Sequence, residues 1–481
     1  MTRINTNVPA IRAINRLDVN QRDLNLRLKR LATGLRINAG RDDPAGLIIS
    51  ELLRSDARTL QQAIDNSTRA NFVIATAEGA MNELSAQLLE LQSLIVETSN
   101  KAGITQGELE ANQLAVDSIL DSIDRIASTT AFAGKKLIDG SLSYTLSGVV
   151  PSALGSVSVF AAHVPLGGTR EVDVRVTQSA QTAQITMVGQ NSGGVSLVSA
   201  TTIELKGTLG RQVLSFADGT TLAEVRTAIN GTTDLTGVSA VVSSVGGAAS
   251  ALLLNSQSLG AKAFVSVEPI SGNFVESGNT GTTIRRVGVE AGVLVNGQIA
   301  AVKGLRADVR SSLFDARVFL TQGFAQTIGS TTFHVTGGGA LFQLTPEVSP
   351  SGQVFVGFAP FTSTKLGNSQ VGLLHTLRSG STNDLVSENF PTAQDIVSEA
   401  INQVASLRGR LGSVQRSHID ANIESQKVAL ENVTASESII RDAEVAVEVS
   451  ALTRAQILVQ STQSVLEIAN AAPQSVLSLL R

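Results

Sequence analysis

At 481 residues the chain is long enough for about three domains. A net charge of -4, only 16% charged residues and no basic runs exclude a nucleic-acid surface. The absence of cysteine excludes disulfides, thiolate metal sites and cysteine nucleophiles, and suits a chain that crosses an oxidising space without cross-linking.

The start, "MTRINTNVPAIRAINRLDVNQRDL", is interrupted by polar and charged residues every few positions, so no cleaved Sec-type signal peptide is expected. No window approaches the roughly 18 consecutive apolar residues of a membrane helix, and the chain is expected to be soluble when made. Aromatic residues are scarce, with one tyrosine (Tyr144) and no tryptophan. That is unusual for an enzyme with a pocket and common in long aliphatic helical packings.

A first helix is predicted from a cap at Asn5 or Thr6, with Pro9 in the first turn. Ile14, Leu17, Leu24, Leu28, Leu31 and Leu35 follow steps of three and four, a coiled-coil stripe about four heptads long in which Gln21 is the single polar interruption. It ends within "LATGLRINAGRDDPAGLIIS", where Gly34, Gly40, Asp42, Asp43 and Pro44 form an inter-helix joint. Phosphate binding does not fit there: the Walker spacing is missing and two adjacent aspartates repel an anion. Pro44 suits the first turn of the next helix, with Asp42 or Asp43 as its cap. In that helix Val73, Ala77, Ala80, Leu84, Leu88, Leu91 and Ile95 recur every 3.67 residues or so, which predicts nearly straight or slightly right-handed packing. A third helix, Leu109 to Thr129, carries Leu109, Val116, Ile119, Ile123 and Ile126 on one face and ends near Phe132-Ala133-Gly134.

From about Ser141 to Asn383 the composition shifts to Gly, Ser, Thr and Val with short alternating runs. Asp218-Gly219 and Asn296-Gly297 read as hairpin turns, and Thr221 to Asn230 as a short helix. One or two strand-rich domains are inserted here. Gly337-Gly338-Gly339 is a loop between strands, since no helix pattern comes after it. The serines and threonines could carry sugars or simply belong to exposed strands. The four histidines, His163, His334, His375 and His418, have no metal-ligand spacing, and His418, in phase with Val404 and Leu411, is expected to be packed or interfacial.

Helix returns at the C-terminal end. Val404, Leu407, Leu411 and Val414 begin a stripe that Ile419, Ile423, Leu430 and Val433 continue on a shifted phase. A last helix holds Val445, Val449, Leu452, Val459 and Leu466, with a second apolar face through Ala451, Ala455, Leu458, Val465 and Ala469. A helix apolar on two faces needs partners on both sides, which assembly would supply.

"RLATGLRINAGRDDPAGLIISELL" near the start and "EVSALTRAQILVQSTQSVLEIANAAPQSVLSLLR" at the end resemble bacterial flagellin. The likeness covers about the first 140 and the last 90 residues, and the middle is the part that varies most in that family. It implies a multidomain α+β fold: a long antiparallel coiled-coil bundle formed by both termini, with an inserted β-rich variable region. The expected divisions are 1–42 and 441–481 for the inner-tube helices, 43–165 and 386–440 for the helical core domain, and 166–385 for the insert.

The resemblance further implies a structural subunit that polymerises into the extracellular flagellar filament, exported unfolded by the flagellar type III apparatus, its ends ordering on assembly. Its partners would be other copies of itself, an export chaperone on the last helix, and the filament cap and hook-associated proteins. No nucleic acid, membrane, metal, cofactor or catalysis is expected. Ile14, Leu17, Leu24, Leu28, Leu31 and Leu35, with Val445, Val449, Leu452, Leu458, Val459, Val465 and Leu466, are the residues expected to pack the filament core. Two alternatives remain. One is a hook-filament junction protein, whose ends are similarly helical; the other is an adhesin displayed by the insert, whose Phe160, Phe216, Phe264 and Phe333 are scattered among strands.

Family members detected by the animal Toll-like flagellin receptor share a central-helix pattern like Leu-Gln-Arg-Val-Arg-Glu-Leu-Ala-Val-Gln. Here the stretch is "LLELQSLIVE", in which Leu88, Leu94 and Val96 match. Glu90 and Gln92 stand where that pattern has arginines, and a glutamate further on falls at Ala115 if one inserted residue is allowed. An anion in place of a cation reverses charge complementarity, so weak or no activation of that receptor is expected.

Overall fold

The computed structural model describes residues 6–164, 168–188, 196–245, 249–272, 283–311 and 314–479. Asn5 and the side chains of the closing "PQSVLSLLR" lie outside the described residues. The chain divides into two compact units, one of residues 1–71, 342–354 and 414–481, the other of residues 72–341 and 355–413.

The first unit contains helix α1 (Val8–Thr33), the start of α2 (Pro44–Thr98), α8 (Ala421–Arg441) and α9 (Val445–Leu479). Asn7, rather than Thr6, caps α1: its side-chain oxygen accepts from the Ala10 N–H at 3.1 Å. Gly34 closes the helix at φ 70°, the left-handed conformation that glycine takes without a Cβ penalty. Leu35 therefore leaves the helical stripe on which it was expected. Segment 342–354 meets α8 where the buried Gln426 side chain donates to the Leu344 carbonyl.

Between α7 (Phe390–Val414) and α8 the chain makes a π turn, Gln415–Asp420. Such a turn holds one residue more than an α turn and rotates everything after it. Val414 and Ile419 are five apart for this reason, and the turn accounts for the shifted phase in the sequence. Ile419 becomes fully buried, while His418 is left exposed rather than packed.

In the second unit the buried line of α2 is Ile74, Ala77, Met81, Leu84, Leu88, Leu91 and Ile95. Val73 and Ala80 are only half-buried. The repeat is thus the alternating three-four of a heptad, which calls for a left-handed supercoil instead of the nearly straight or slightly right-handed packing expected. Helix α3 (Gln106–Thr129) opens with a capping box between Thr105 and Glu108 and buries Val116, Leu120, Ile123 and Ala127. Helix α7 buries Ile396, Ala400, Val404, Leu407 and Leu411.

The insert is built from antiparallel sheets around two cores. A five-stranded sheet, centred on Arg170–Gln178 and Gly329–Gly337, shares a core with the four-stranded sheet that contains Leu154–Ala162 and Phe314–Leu320. A three-stranded sheet with Ala249–Leu259 at its centre shares the other with a four-stranded sheet through Thr201–Lys206 and with helix α4 (Leu222–Asn230). Alternation along Phe314–Leu320, buried at every second residue, shows one face of the strand turned to its core. Asn296-Gly297 is a two-residue hairpin turn with both residues at positive φ, as expected. Asp218-Gly219 is not a hairpin: it leads from a strand into α4, which Thr221 caps.

Candidate assembly interface

Helices α1 and α9 lie antiparallel. Asn7 Nδ2 donates to the Ala469 carbonyl at 2.7 Å, Asn20 Nδ2 reaches Thr462 Oγ1 and the Leu458 carbonyl at 3.3 Å each, and Arg27 meets Glu448. The inward line on α1 is Ala10, Ala13, Leu17, Asn20, Leu24, Arg27 and Leu31; on α9 it is Glu448, Leu452, Ala455, Val459, Thr462, Leu466 and Ala469. Both alternate three and four residues, the spacing of a coiled-coil seam. Small residues at one end let the backbones approach, and Asn20 opposite Thr462 is the kind of inward polar residue that fixes register.

The other end of the seam is ionic. Glu448 is 5% exposed, and its two oxygens take Arg27 Nη1 and Arg30 Nη1 at 3.0 Å. Burial pushes the Glu448 carboxyl up, but the hydrogen bonds and charges of Arg27 and Arg30 together outweigh it and hold the group below the ordinary carboxylate value. Arg27 is raised in turn, chiefly by its hydrogen bond to Glu448. A buried carboxylate with two guanidinium partners is the arrangement that makes such burial tolerable.

At the joint, the chain that leaves α1 clips onto the chain that enters α9. Arg36 N–H donates to the Arg441 carbonyl at 2.7 Å and Ala443 N–H to the Gly34 carbonyl at 2.8 Å, and Leu35 and Asp442 form a single antiparallel bridge between them. Of the two aspartates expected as alternatives for the cap, Asp43 takes that role and Asp42 braces the joint. Asp42 accepts from the backbone N–H groups of Asn38 and Ala39 at 3.1 and 2.9 Å, and these bonds, Asn38's first, hold its carboxyl below the ordinary value. Asp43 caps α2 by accepting from Gly46 N–H at 2.9 Å. A Cβ on Gly46 would lie 2.5 Å from Asp43 Oδ2 and 2.7 Å from Ile37 Cδ1, so a larger residue there must displace the cap side chain and Ile37. Gly40 has no such constraint.

The expected core-packing residues separate into two groups. Leu17, Leu24, Leu31, Leu35, Leu452, Val459 and Leu466 are half-buried or buried, Leu35 in the joint and the rest on the seam. Ile14, Leu28, Val445, Val449, Leu458 and Val465 are exposed, at 44 to 62% for all six, and Ile11, Ile457 and Ile468 are exposed with them. Sequence periodicity misses Ala10, Ala13, Asn20, Arg27, Glu448 and Thr462, because a search for large apolar side chains passes over alanine and over polar seam positions. The signal that could find them lies in the heptads that run through Leu17, Leu24 and Leu31. Glu90 is exposed on α2, while Gln92 and Ala115 are half-buried.

Comparison with known proteins gives three matches along the chain: "Bacterial flagellin N-terminal helical region" over residues 4–143, "Flagellin hook IN motif" over 202–258, and "Bacterial flagellin C-terminal helical region" over 394–480. Flagellin of Salmonella rubislaw is 26% identical over 506 aligned positions, covering 99% of both chains. Flagellin B of Helicobacter pylori is 27% identical over 528, covering 100% of this chain and 99% of that one. Flagellin of Clostridium tyrobutyricum is 41% identical over 138, covering 29% of this chain and 36% of that one. Among solved structures, the flagellar cap protein FliD D1-D2-D3 domains from Escherichia coli are 16% identical over 54% of this chain and 63% of that one, with a TM-score of 0.28, too low to bear on the fold.

These matches place the chain among the self-assembling structural proteins of the bacterial flagellum. It belongs to the bacterial flagellin family, whose members are the structural subunits of the extracellular filament that drives motility.

Proposed function

We propose that the α1–α9 pair forms the innermost layer of the filament and that neighbouring copies cover its exposed apolar side chains. The observation that supports this is the exposure of Ile14, Leu28, Val445, Val449, Leu458 and Val465 on helices already paired through their seam, with Val449 to one side of the α9 seam and Leu458 and Val465 to the other. Large aliphatic side chains left in water on both flanks of a paired seam are available to neighbours on either side, and each one covered contributes about 1.5–3 kcal/mol. Contacts of this kind are heterologous and do not close, so the polymer keeps growing.

On this reading 1–42 and 441–481 are the inner-tube segments, 43–165 and 386–440 the helical core domain, and 166–385 the outward insert. The chain leaves the cell unfolded through the flagellar type III apparatus. An export chaperone holds α9 until then, and the cap and hook-associated proteins receive the subunit at the tip. Glu90, Gln92 and Ala115 make it a poor agonist of the Toll-like flagellin receptor. The test is electron microscopy of seeded full-length protein beside a truncation that lacks Arg441 to Arg481: filaments from the first and none from the second are expected. Filaments from both would overturn the role given to α9.

A further inference from the structure

We propose that Asn296 is a site of spontaneous backbone-directed deamidation, and that the fold promotes the reaction there while suppressing it at Asn230. The sequence contains two Asn-Gly pairs, each preceded by a β-branched residue: Ile229-Asn230-Gly231 and Val295-Asn296-Gly297. Local chemistry is therefore nearly matched, and whatever separates the two sites comes from the fold.

The reaction needs a free backbone nitrogen as nucleophile and an amide carbon able to take on negative charge at its oxygen. The Gly297 nitrogen attacks Asn296 Cγ, its proton passes by way of solvent to Nδ2, and the Cγ–Nδ2 bond breaks with loss of ammonia. The resulting succinimide is opened by one water to aspartate or isoaspartate. No oxidant or cofactor is involved.

At the 296 turn each requirement is met. Gly297 is exposed, a Cβ there would meet nothing within 4 Å, and its N–H makes no hydrogen bond among the described residues. Asn296 Oδ1 accepts from the Asp173 backbone N–H at 2.9 Å, so a donor already sits on the oxygen where charge develops. A preorganised donor at that point lowers the barrier by the logic of an oxyanion hole.

Asn230 Oδ1 also has a backbone donor, the Ala240 N–H at 2.7 Å, so the difference between the sites lies in the leaving group and the nucleophile. Asn230 Nδ2 donates to the Ala240 carbonyl at 3.1 Å, so together the two bonds clamp the side-chain amide against the backbone of one residue and hold its leaving group. The nucleophile is also occupied, since Gly231 N–H donates to the Thr227 carbonyl at 3.0 Å. Attack would require several hydrogen bonds to break first.

The consequence is a chemical clock on the insert. Isoaspartate adds a backbone carbon to a two-residue turn, and either product sets a carboxylate beside Asp173, so the Gly292–Val295 and Gln298–Ile299 hairpin loosens with age.

The experiment is incubation of the full chain in mildly alkaline buffer made with ¹⁸O-labelled water, then peptide mass spectrometry. Label is expected at Asn296 at least about tenfold faster than at Asn230, the ratio given by the net hydrogen-bond difference. In urea the two rates are expected to converge, and Asn296→Gln, which disfavours the five-membered ring, is expected to lose the label at that peptide. Equal labelling in the folded chain, faster labelling at Asn230, or no label at either would overturn the proposal. So would a ratio that persists unchanged in urea, because the fold would then have no part in it.

Discussion

Replacing Glu448 by glutamine keeps the shape of the side chain and removes its charge, leaving Arg27 and Arg30 facing a neutral amide in the α1–α9 seam. Breaking a buried ion pair costs about 3–5 kcal/mol when the remaining charge is fully enclosed. Here the arginine side chains are 25% and 18% exposed and can turn partly to water, so about 2–3 kcal/mol is expected. In the proposed mechanism the ends order as a subunit joins the filament, so this loss enters each addition step and raises the critical concentration about 30- to 150-fold. Sedimentation of seeded filaments at neutral pH measures it directly. The pH dependence gives a second handle. Glu448 is held below its ordinary value, so the disordered end binds the proton more readily than the ordered one as pH falls. Its contribution is full above the ordinary carboxylate range and is lost as pH falls through the lower, folded value. Wild-type critical concentration should climb across that acid window, and the contribution of this residue should vanish in Glu448→Gln. A variant within about twofold of wild type at neutral pH would refute the reasoning.

Leu458→Ser with Val465→Asp removes apolar surface from one exposed flank of α9 without touching the seam; filament growth should be abolished while circular dichroism of the monomer is unchanged, and growth at the wild-type rate would count against that flank. Gly46→Ala drives a methyl group against Asp43 and Ile37, and a loss of about 1–3 kcal/mol in thermal or urea unfolding is expected, with no loss meaning that the cap yields freely. Glu90→Arg should raise activity in a Toll-like flagellin receptor reporter assay above that of the parent chain; a parent as active as a known agonist would remove the basis for the charge argument.

Much of the helical architecture is legible in the residues because period and punctuation agree there: Pro44 and Gly34 mark helix ends, and Leu84, Leu88 and Leu91 mark a face. The seam itself is legible only in part. Leu17, Leu24 and Leu31 lie on it, but alanine at 10 and 13 carries little hydrophobic signal, and Arg27 and Glu448 read as surface charge until the fold brings them together. His418 leaves its expected face because helical phase does not carry across the π turn, where an extra residue rotates the helix. In the insert, Asn296-Gly297 reads correctly as a hairpin since flanking strands pair across it, whereas Asp218-Gly219 has the same turn chemistry and leads into a helix. Turn residues specify a local bend, and long-range pairing decides which element comes next.

The clip at the joint ties together positions more than 400 residues apart in sequence, Arg36 with Ile440 being separated by 404. Closing so long a loop is entropically unfavourable, and the cost grows with the logarithm of loop length. Once the intervening chain has folded, the effective loop is far shorter. The two ends are therefore set to meet last in any refolding time course, after the local helices and hairpins between them. A chain that arrives through a narrow channel with its first residues long since emerged would face the same order of events, and its late-forming ends are the ones left open for a neighbour to take part in completing.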